Sequence, residues 1–116
     1  MQNIAEKYLD TWNAGPADRK RLIADHWSPS VTYVDPQAEI SGSSALHELI
    51  GAVQAQFPDF VFRLHGSVDA HHRQLRFSWA LGPAGEEPPI IGFDVVVVDE
   101  DGRIADVRGF LDRVPQ

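Results

Sequence analysis

Apolar residues recur at helical spacing in the first half of the chain. Ile4, Tyr8 and Trp12 follow one another at steps of four, which places them on one face of a helix. A Gly-Pro pair ends this run, and the same spacing returns twice before Pro58. We therefore predict three helices, over residues 3–13, 18–27 and 42–57.

After Pro58 the period of the pattern changes to two. Phe60, Phe62 and Leu64 alternate with polar residues, which is typical of strands with one buried face. We predict strands over residues 31–34, 60–68, 74–81, 90–98 and 103–112, with turns or loops at 69–73, 82–89 and 99–102. Helices followed by a run of strands indicate an α+β fold, in which three N-terminal helices pack on one face of an antiparallel sheet.

Composition narrows the classes of protein that this chain could be. Its 116 residues, 43% of them hydrophobic, predict a single domain over residues 1–116. The lack of cysteine excludes disulfides and thiolate metal sites and suits the reducing cytoplasm, where we expect the protein. A net charge of −7 without a basic block argues against nucleic acid and anionic lipid as partners. No apolar run is long enough to indicate a signal peptide or a membrane span, so we expect a soluble protein.

Asp94 is the first candidate for chemistry, because it interrupts the apolar run of residues 90–98. On a strand with both faces covered, burial would raise the pKa of this carboxyl group and keep it protonated. Two other interpretations stay open. Asp94 could point to solvent or to a partner subunit, or it could bond a neighbouring strand.

Asp35 and Tyr8 are the second and third candidates. Asp35 ends a strand directly before Pro36, which restrains it to an extended conformation and aims its side chain. An Asp-Pro pair is also ordinary turn chemistry, so this alternative stays open. Tyr8 lies on the inner face of the first helix, either as plain core or as a phenol that needs a hydrogen-bond partner. A buried acid would be a suitable partner.

The five histidines do not predict a metal site. His71 and His72 are adjacent in a turn, and adjacent residues of an extended chain point to opposite sides. His26, His47 and His65 have no carboxylate or histidine at a helical metal spacing. We therefore expect no metal.

Four short motifs together resemble the nuclear transport factor 2-like superfamily, and within it most closely the SnoaL-like polyketide cyclases and the ketosteroid isomerases. The motifs are YLDTWNAG at residues 8–15, VTYVDP at 31–36, Ser41-Gly42 before the third helix, and Phe93-Asp94, which ends eight residues before Gly102. The resemblance covers essentially the whole chain. It implies that the sheet curves into a cone around an internal apolar pocket, and that no cofactor is needed.

The resemblance also implies roles for the three candidates. Asp35 corresponds to the general base of the isomerases, Tyr8 to their oxyanion-hole tyrosine, and Asp94 to the acid that stays protonated and donates a hydrogen bond. These roles predict an isomerase or cyclase that acts through an enolate of a small apolar carbonyl compound. Ile50 stands where the isomerases have a second tyrosine, which implies a shorter network around Tyr8.

Two other functions remain open at this point. The same fold serves as a non-catalytic module that binds a small ligand or mediates dimerisation, since fold does not determine function. Two carboxylates in a pocket also suit hydration or epoxide opening by an activated water, although no arginine partner is evident.

The same resemblance predicts the pocket and a partner. The pocket would hold a small apolar ligand and would be lined by Trp12, Trp27, Leu49, Val53, Phe62, Trp79, Val107 and Leu111. On the last strand, Asp106, Arg108 and Phe110 would face outward. Relatives pair through this outer face of the sheet, so we expect a homodimer.

Overall fold

The computed structural model describes residues 1–115 and is an α+β fold of three helices on a curved six-stranded sheet. Its elements, in chain order, are α1 (Gln2–Asn13), α2 (Pro16–His26), β1 (Trp27–Asp35), β2 (Ala38–Ser41), α3 (Ser43–Gln56), β3 (Phe60–His71), β4 (Gln74–Pro83), β5 (Ile90–Val98) and β6 (Ile104–Arg113). The fold class and the three helices predicted from the sequence are confirmed.

The helices form where the spacing of apolar residues predicted them. α1 buries Tyr8 and Trp12 on the face that its step-of-four pattern defines. α2 begins at Pro16, whose fixed φ suits the first helical position, and it ends one residue earlier than predicted. Trp27 is already extended there and begins β1. Among residues 1–115, no helix is long and apolar enough to cross a membrane.

The sheet is mixed, which corrects the antiparallel prediction. The strand order is β2-β1-β6-β5-β4-β3, and all neighbours are antiparallel except β1 and β6, which run parallel. The reason is topological: α3 follows the short hairpin of β1 and β2, and the chain then builds the sheet from its far edge back toward β1. β2 was also absent from the prediction, since four residues with no long apolar run give little signal.

The long hairpin of β3 and β4 curves the sheet. Its pairing register shifts between His65 and Asp69, where Gly66 has a φ of +93°. Such a bulge bends a strand and increases its twist. The turn between the strands is also tighter than predicted, because β3 continues to His71 and β4 begins at Gln74.

A buried arginine links the three helices through hydrogen bonds. Arg19 on α2 is only 4% exposed. Its Nε donates to Nδ1 of His47 on α3 at 3.1 Å, and its Nη1 donates to Oε1 of Gln54 at 3.0 Å and to the carbonyl of Ala14 at 3.2 Å. These neutral partners accept hydrogen bonds from the guanidinium group where the end of α1 meets the other two helices.

Candidate functional site

A cavity of about 270 Å³ lies between the helices and the concave face of the sheet. Five of the residues predicted to line the pocket do so: Trp12, Val53, Phe62, Trp79 and Leu111. All three candidates for chemistry also border the cavity, namely Tyr8, Asp35 and Asp94.

Three residues predicted for the lining lie elsewhere. Trp27 is 1% exposed, packs against Tyr8 with ring centroids 5.3 Å apart, and donates from Nε1 to Oγ1 of Thr11. Val107 is completely buried in the core, and Leu49 packs at the edge of that core. Tyr8 itself lines the cavity, so Trp27, which packs against Tyr8, belongs to a second layer of side chains behind the cavity wall. The family resemblance was therefore not enough to predict which inward residues contact the cavity.

Other lining residues were absent from the prediction. The most informative is Tyr33, which lies two residues before Asp35 and shares its side of β1. Strand alternation was a signal that could have found it. Gln37, Gln56 and Phe57 also line the cavity, and so does Phe110, although 58% of Phe110 is exposed.

Asp94 is buried inside the molecule, at only 2% exposure. The hydroxyl of Tyr8 donates to its Oδ2 at 2.5 Å, and Nε1 of Trp79 donates to the same atom at 3.0 Å. Burial raises the pKa of Asp94 to about 7; the two donors lower it and the nearby Asp35 carboxyl raises it. Both the neutral and the ionised form are therefore accessible near neutral pH.

Tyr8 keeps its proton under the same conditions. Burial raises the pKa of the Tyr8 phenol well above its ordinary value, and the charge of Asp94 is the second cause. A phenol has one proton to donate, and in this structure Tyr8 directs it at Asp94. Tyr8 can thus donate to a ligand only by giving up that bond or by accepting one from a protonated Asp94.

Asp35 has the contacts of a turn residue and also borders the cavity. Its Oδ1 accepts hydrogen bonds from the backbone N–H groups of Gln37 at 2.8 Å and Ala38 at 2.9 Å. Its Oδ2 accepts one from the hydroxyl of Tyr33 at 2.6 Å. Burial raises the pKa of Tyr33, so this phenol stays protonated as a donor. The turn chemistry and the position at the cavity, left as alternatives by the sequence, occur together.

A glycine separates the two acids. Gly109 pairs with Asp94 across the ladder of β5 and β6, while β1 lies on the other side of β6. A Cβ atom on Gly109 would lie 2.6 Å from Oδ1 of Asp94 and 3.4 Å from Cβ of Asp35. The two carboxyl-bearing residues therefore flank a position without a side chain, on a surface that borders the cavity.

The histidine pair differs from the prediction in its geometry. His72 has a φ of +55°, so the chain is not extended there, and Nδ1 of His71 lies 3.1 Å from Nδ1 of His72. The two rings thus meet on one side of the turn, where the prediction placed them on opposite sides. Within residues 1–115, no three histidine or acidic side chains converge as a metal site would require.

The chain belongs to the SnoaL-like domain family, whose model matches residues 5–107. This family membership, together with the fold, confirms the predicted nuclear transport factor 2-like superfamily. No curated protein matches the sequence.

Solved structures resemble the chain over nearly its whole length. A SnoaL-like family protein from Agrobacterium tumefaciens, provisionally named an isomerase, is 36% identical, with a TM-score of 0.91 and coverage of 96% of each chain. A protein from Kribbella flavida, provisionally named a ketosteroid isomerase, is 20% identical, with a TM-score of 0.73 and coverage of 98% of this chain and 78% of its own. A protein from Sinorhizobium meliloti, provisionally named a polyketide cyclase, is 14% identical, with a TM-score of 0.73 and coverage of 92% and 93%. The last two show the fold alone.

Proposed function

We propose that this protein transfers a proton at the carbon next to a carbonyl group, as an isomerase or a cyclase of a small uncharged carbonyl compound. The observation that carries the proposal is Asp94, a buried acid whose pKa is raised to about 7 and which Tyr8 bonds at the wall of an apolar cavity. An acid with a pKa near neutrality is suited to proton transfer. The names given to proteins of this fold, isomerase and polyketide cyclase, agree with this class of reaction.

In the proposed reaction, Asp35 removes the proton from the α-carbon. The electron pair of the broken C–H bond moves toward the carbonyl oxygen, which becomes an enolate oxygen. Tyr8 and neutral Asp94 donate hydrogen bonds to that oxygen, and these bonds strengthen as its charge develops. Return of the proton to another carbon gives an isomer, whereas attack of the enolate carbon on a second carbonyl gives a ring.

The lining of the cavity favours an uncharged substrate. It contains two acidic side chains, Asp35 and Asp94, and no lysine, arginine or histidine among the residues that the structure describes there. An organic anion would meet repulsion without a compensating cation. Aromatic rings from Trp12, Phe62 and Trp79 form much of the wall, which suits a flat or apolar ligand.

A second candidate is a non-catalytic module that binds a small ligand in the same cavity. The observation that favours it is the triple hydrogen bonding of Asp35 by Tyr33, Gln37 and Ala38. These three bonds engage both oxygens of the carboxyl group and leave less of it open to a substrate. In this case Asp35 would hold the turn after β1 and take no part in chemistry.

Turnover of a β,γ-unsaturated ketone distinguishes the two candidates. We expect the protein to move the double bond into conjugation, and Asp35→Asn to lower the rate by about 100-fold or more. The asparagine retains an oxygen for the N–H groups of Gln37 and Ala38, so the turn should survive. Asp10→Asn, at an exposed acid of α1, is the matched control.

Equal turnover by the protein and by Asp35→Asn would remove Asp35 as the base. Absence of turnover, together with ligand binding that the two proteins share, would support the binding module. Exchange of α-protons of a ketone in heavy water, without net hydration, would separate enolate chemistry from attack by an activated water.

We also propose that two copies pair through the outer face of the sheet. Phe110 borders the cavity, yet 58% of it is exposed, and its strand also carries the exposed Arg108. A large exposed aromatic residue next to charged residues suits the core or rim of an interface.

A further inference from the structure

The two oxygens of the Asp94 carboxyl group have different surroundings. Oδ2 accepts hydrogen bonds from both Tyr8 and Trp79. Oδ1 accepts none from residues 1–115, and it lies beside Gly109, which borders the cavity. Tyr8 is the family's expected partner for this acid, whereas Trp79 belongs to none of the motifs that identified the fold.

The indole of Trp79 is held in its place by two neighbours. Gly92 pairs with Trp79 across the ladder of β4 and β5, and a Cβ atom on Gly92 would lie 2.0 Å from Cζ2 of the indole. The ring can therefore lie directly over the glycine backbone. The second neighbour is Phe62, whose ring packs edge to face against Trp79 with centroids 5.3 Å apart. These contacts leave Nε1 directed at Asp94.

We propose that Trp79 is a positioning residue, whose N–H group holds Oδ2 of Asp94 so that Oδ1 is the oxygen that faces the ligand. The role assigned to Asp94 here rests on the proposed function. The arrangement of the two oxygens rests on the hydrogen bonds alone.

The position of the acidic proton follows from the donors. A neutral carboxyl group has one O–H bond, and a proton on Oδ2 would meet the protons of Tyr8 and Trp79. As long as Tyr8 and Trp79 both donate to Oδ2, the proton resides on Oδ1, beside Gly109, where it can be donated to a carbonyl oxygen in the cavity. If Tyr8 turns to the same ligand oxygen, Trp79 still holds Asp94 in place.

Removal of the N–H group of Trp79 tests this role. Trp79→Phe keeps an aromatic ring over Gly92 but loses the donor. Because a donor stabilises the ionised carboxylate, we expect the pKa of Asp94 to rise by about one pH unit, measured from its carboxyl carbon by NMR. The titratable groups that face Asp94 are Tyr8 on α1 and Tyr33 and Asp35 on β1. None of these three residues is substituted in this variant.

A closer replacement guards against loss of the fold. Benzothienylalanine at position 79 keeps the bicyclic shape and exchanges the N–H group for sulfur, so it should produce the same upward shift. Benzothienylalanine at position 27 is the matched control: it removes the N–H group that Trp27 donates to Oγ1 of Thr11, keeps the bicyclic shape, and should leave the pKa of Asp94 where it is. Because the proposed reaction needs neutral Asp94, activity should fall as this acid ionises, and in a protein that turns over the ketone the alkaline limb of the pH profile should move with the NMR value.

An unchanged or lowered pKa in both position-79 variants would overturn the positioning role, and so would an equal rise in the position-27 control. Failure of the proposed function is a separate result. It would appear as absence of ketone turnover in the unaltered protein, while the titration would still decide the role of Trp79.

Discussion

Gly109 stands directly across the ladder from Asp94, and the space next to its α-carbon contains Oδ1 of that acid. A methyl group at position 109 would lie 2.6 Å from this oxygen, closer than nonbonded atoms can approach. Glycine is needed at position 109 because it leaves room for the carboxyl group of Asp94 and for the group that this carboxyl contacts. This requirement does not depend on backbone flexibility.

Gly109→Ala should therefore displace Asp94 and damage the site more than the fold. We expect turnover, or ligand affinity in the binding-module case, to fall at least about tenfold, because misplaced catalytic groups lose rate steeply. Kinetics and calorimetry measure this. Gly15→Ala is the control, because no atom lies within 4 Å of its added methyl group. Equal effects of the two variants would contradict the prediction.

Stability should fall as pH rises through the range in which Asp94 ionises. Its pKa is about 7 in the folded protein against 3.8 as the ordinary value, so the folded state binds the proton more tightly. The contribution of Asp94 is complete below about pH 4 and is lost by about pH 7, and it amounts to about 4 kcal/mol.

Denaturant unfolding at a series of pH values checks this dependence. Asp94→Asn does not titrate, and its side-chain oxygen can still accept bonds from Tyr8 and Trp79. The variant should become more stable relative to the unaltered protein as the pH rises from about 4 to about 7. A constant difference over that range would show that the pKa of Asp94 is not raised.

Two tyrosines serve two different acids, which allows a matched comparison. Tyr8→Phe removes a donor from Asp94, so it should raise the pKa of that acid and lower turnover by about 100- to 1,000-fold. Tyr33→Phe removes a donor from Asp35 and leaves both bonds to Asp94 intact. Titration of Asp94 by NMR should shift in the first variant only, and a shift in the second alone would reverse the assignment.

Arg19 should matter for stability and not for the site. Arg19→Met keeps an apolar stem but leaves Nδ1 of His47 and Oε1 of Gln54 without their donor, which should cost about 1–3 kcal/mol. Urea unfolding measures the cost. Arg21→Met, at an exposed arginine of the same helix, should have little effect. A normal stability for Arg19→Met would show that the helices do not depend on this residue.

The expected pairing of two copies depends on Phe110. Phe110→Glu replaces an exposed aromatic residue of β6 by a charge, so sedimentation or size-exclusion measurements should show a smaller particle than for the unaltered protein. Met1→Gln changes another exposed apolar residue, at the start of α1, and should not alter the size. A single-chain mass for the unaltered protein would contradict the proposed dimer.

Local patterns predicted much of this molecule. The step-of-four spacing of Tyr8 and Trp12 defined the buried face of α1, and the apolar run around Asp94 marked a strand in which a carboxyl group would be buried. Of the two hydrogen-bond donors to that acid, the sequence suggested Tyr8 but not Trp79. The bond from Trp79 requires the register of β4 on β5 and a glycine at position 92, which periodicity does not reveal.

Long-range relations account for the failures. The parallel pairing of β1 with β6 joins segments at opposite ends of the sequence, so no turn between them indicates its direction. The family resemblance assigned Trp27 and Val107 to the pocket, yet both side chains are buried in the core and do not line the cavity. The expected shorter network around Tyr8 stays a prediction, and the bond from the indole of Trp79 to Asp94 was not part of it.

The position of β6 in the sheet determines when the site can assemble during synthesis of the chain. The strand is made last, yet it inserts between β1 and β5 and so joins the halves that carry Asp35 and Asp94. Contacts between such distant segments form slowly, because a long loop must close first. A nascent or truncated chain that ends before Ile104 would have both acids without the strand that unites them, so proton-transfer capability should arise only when the whole sheet is assembled.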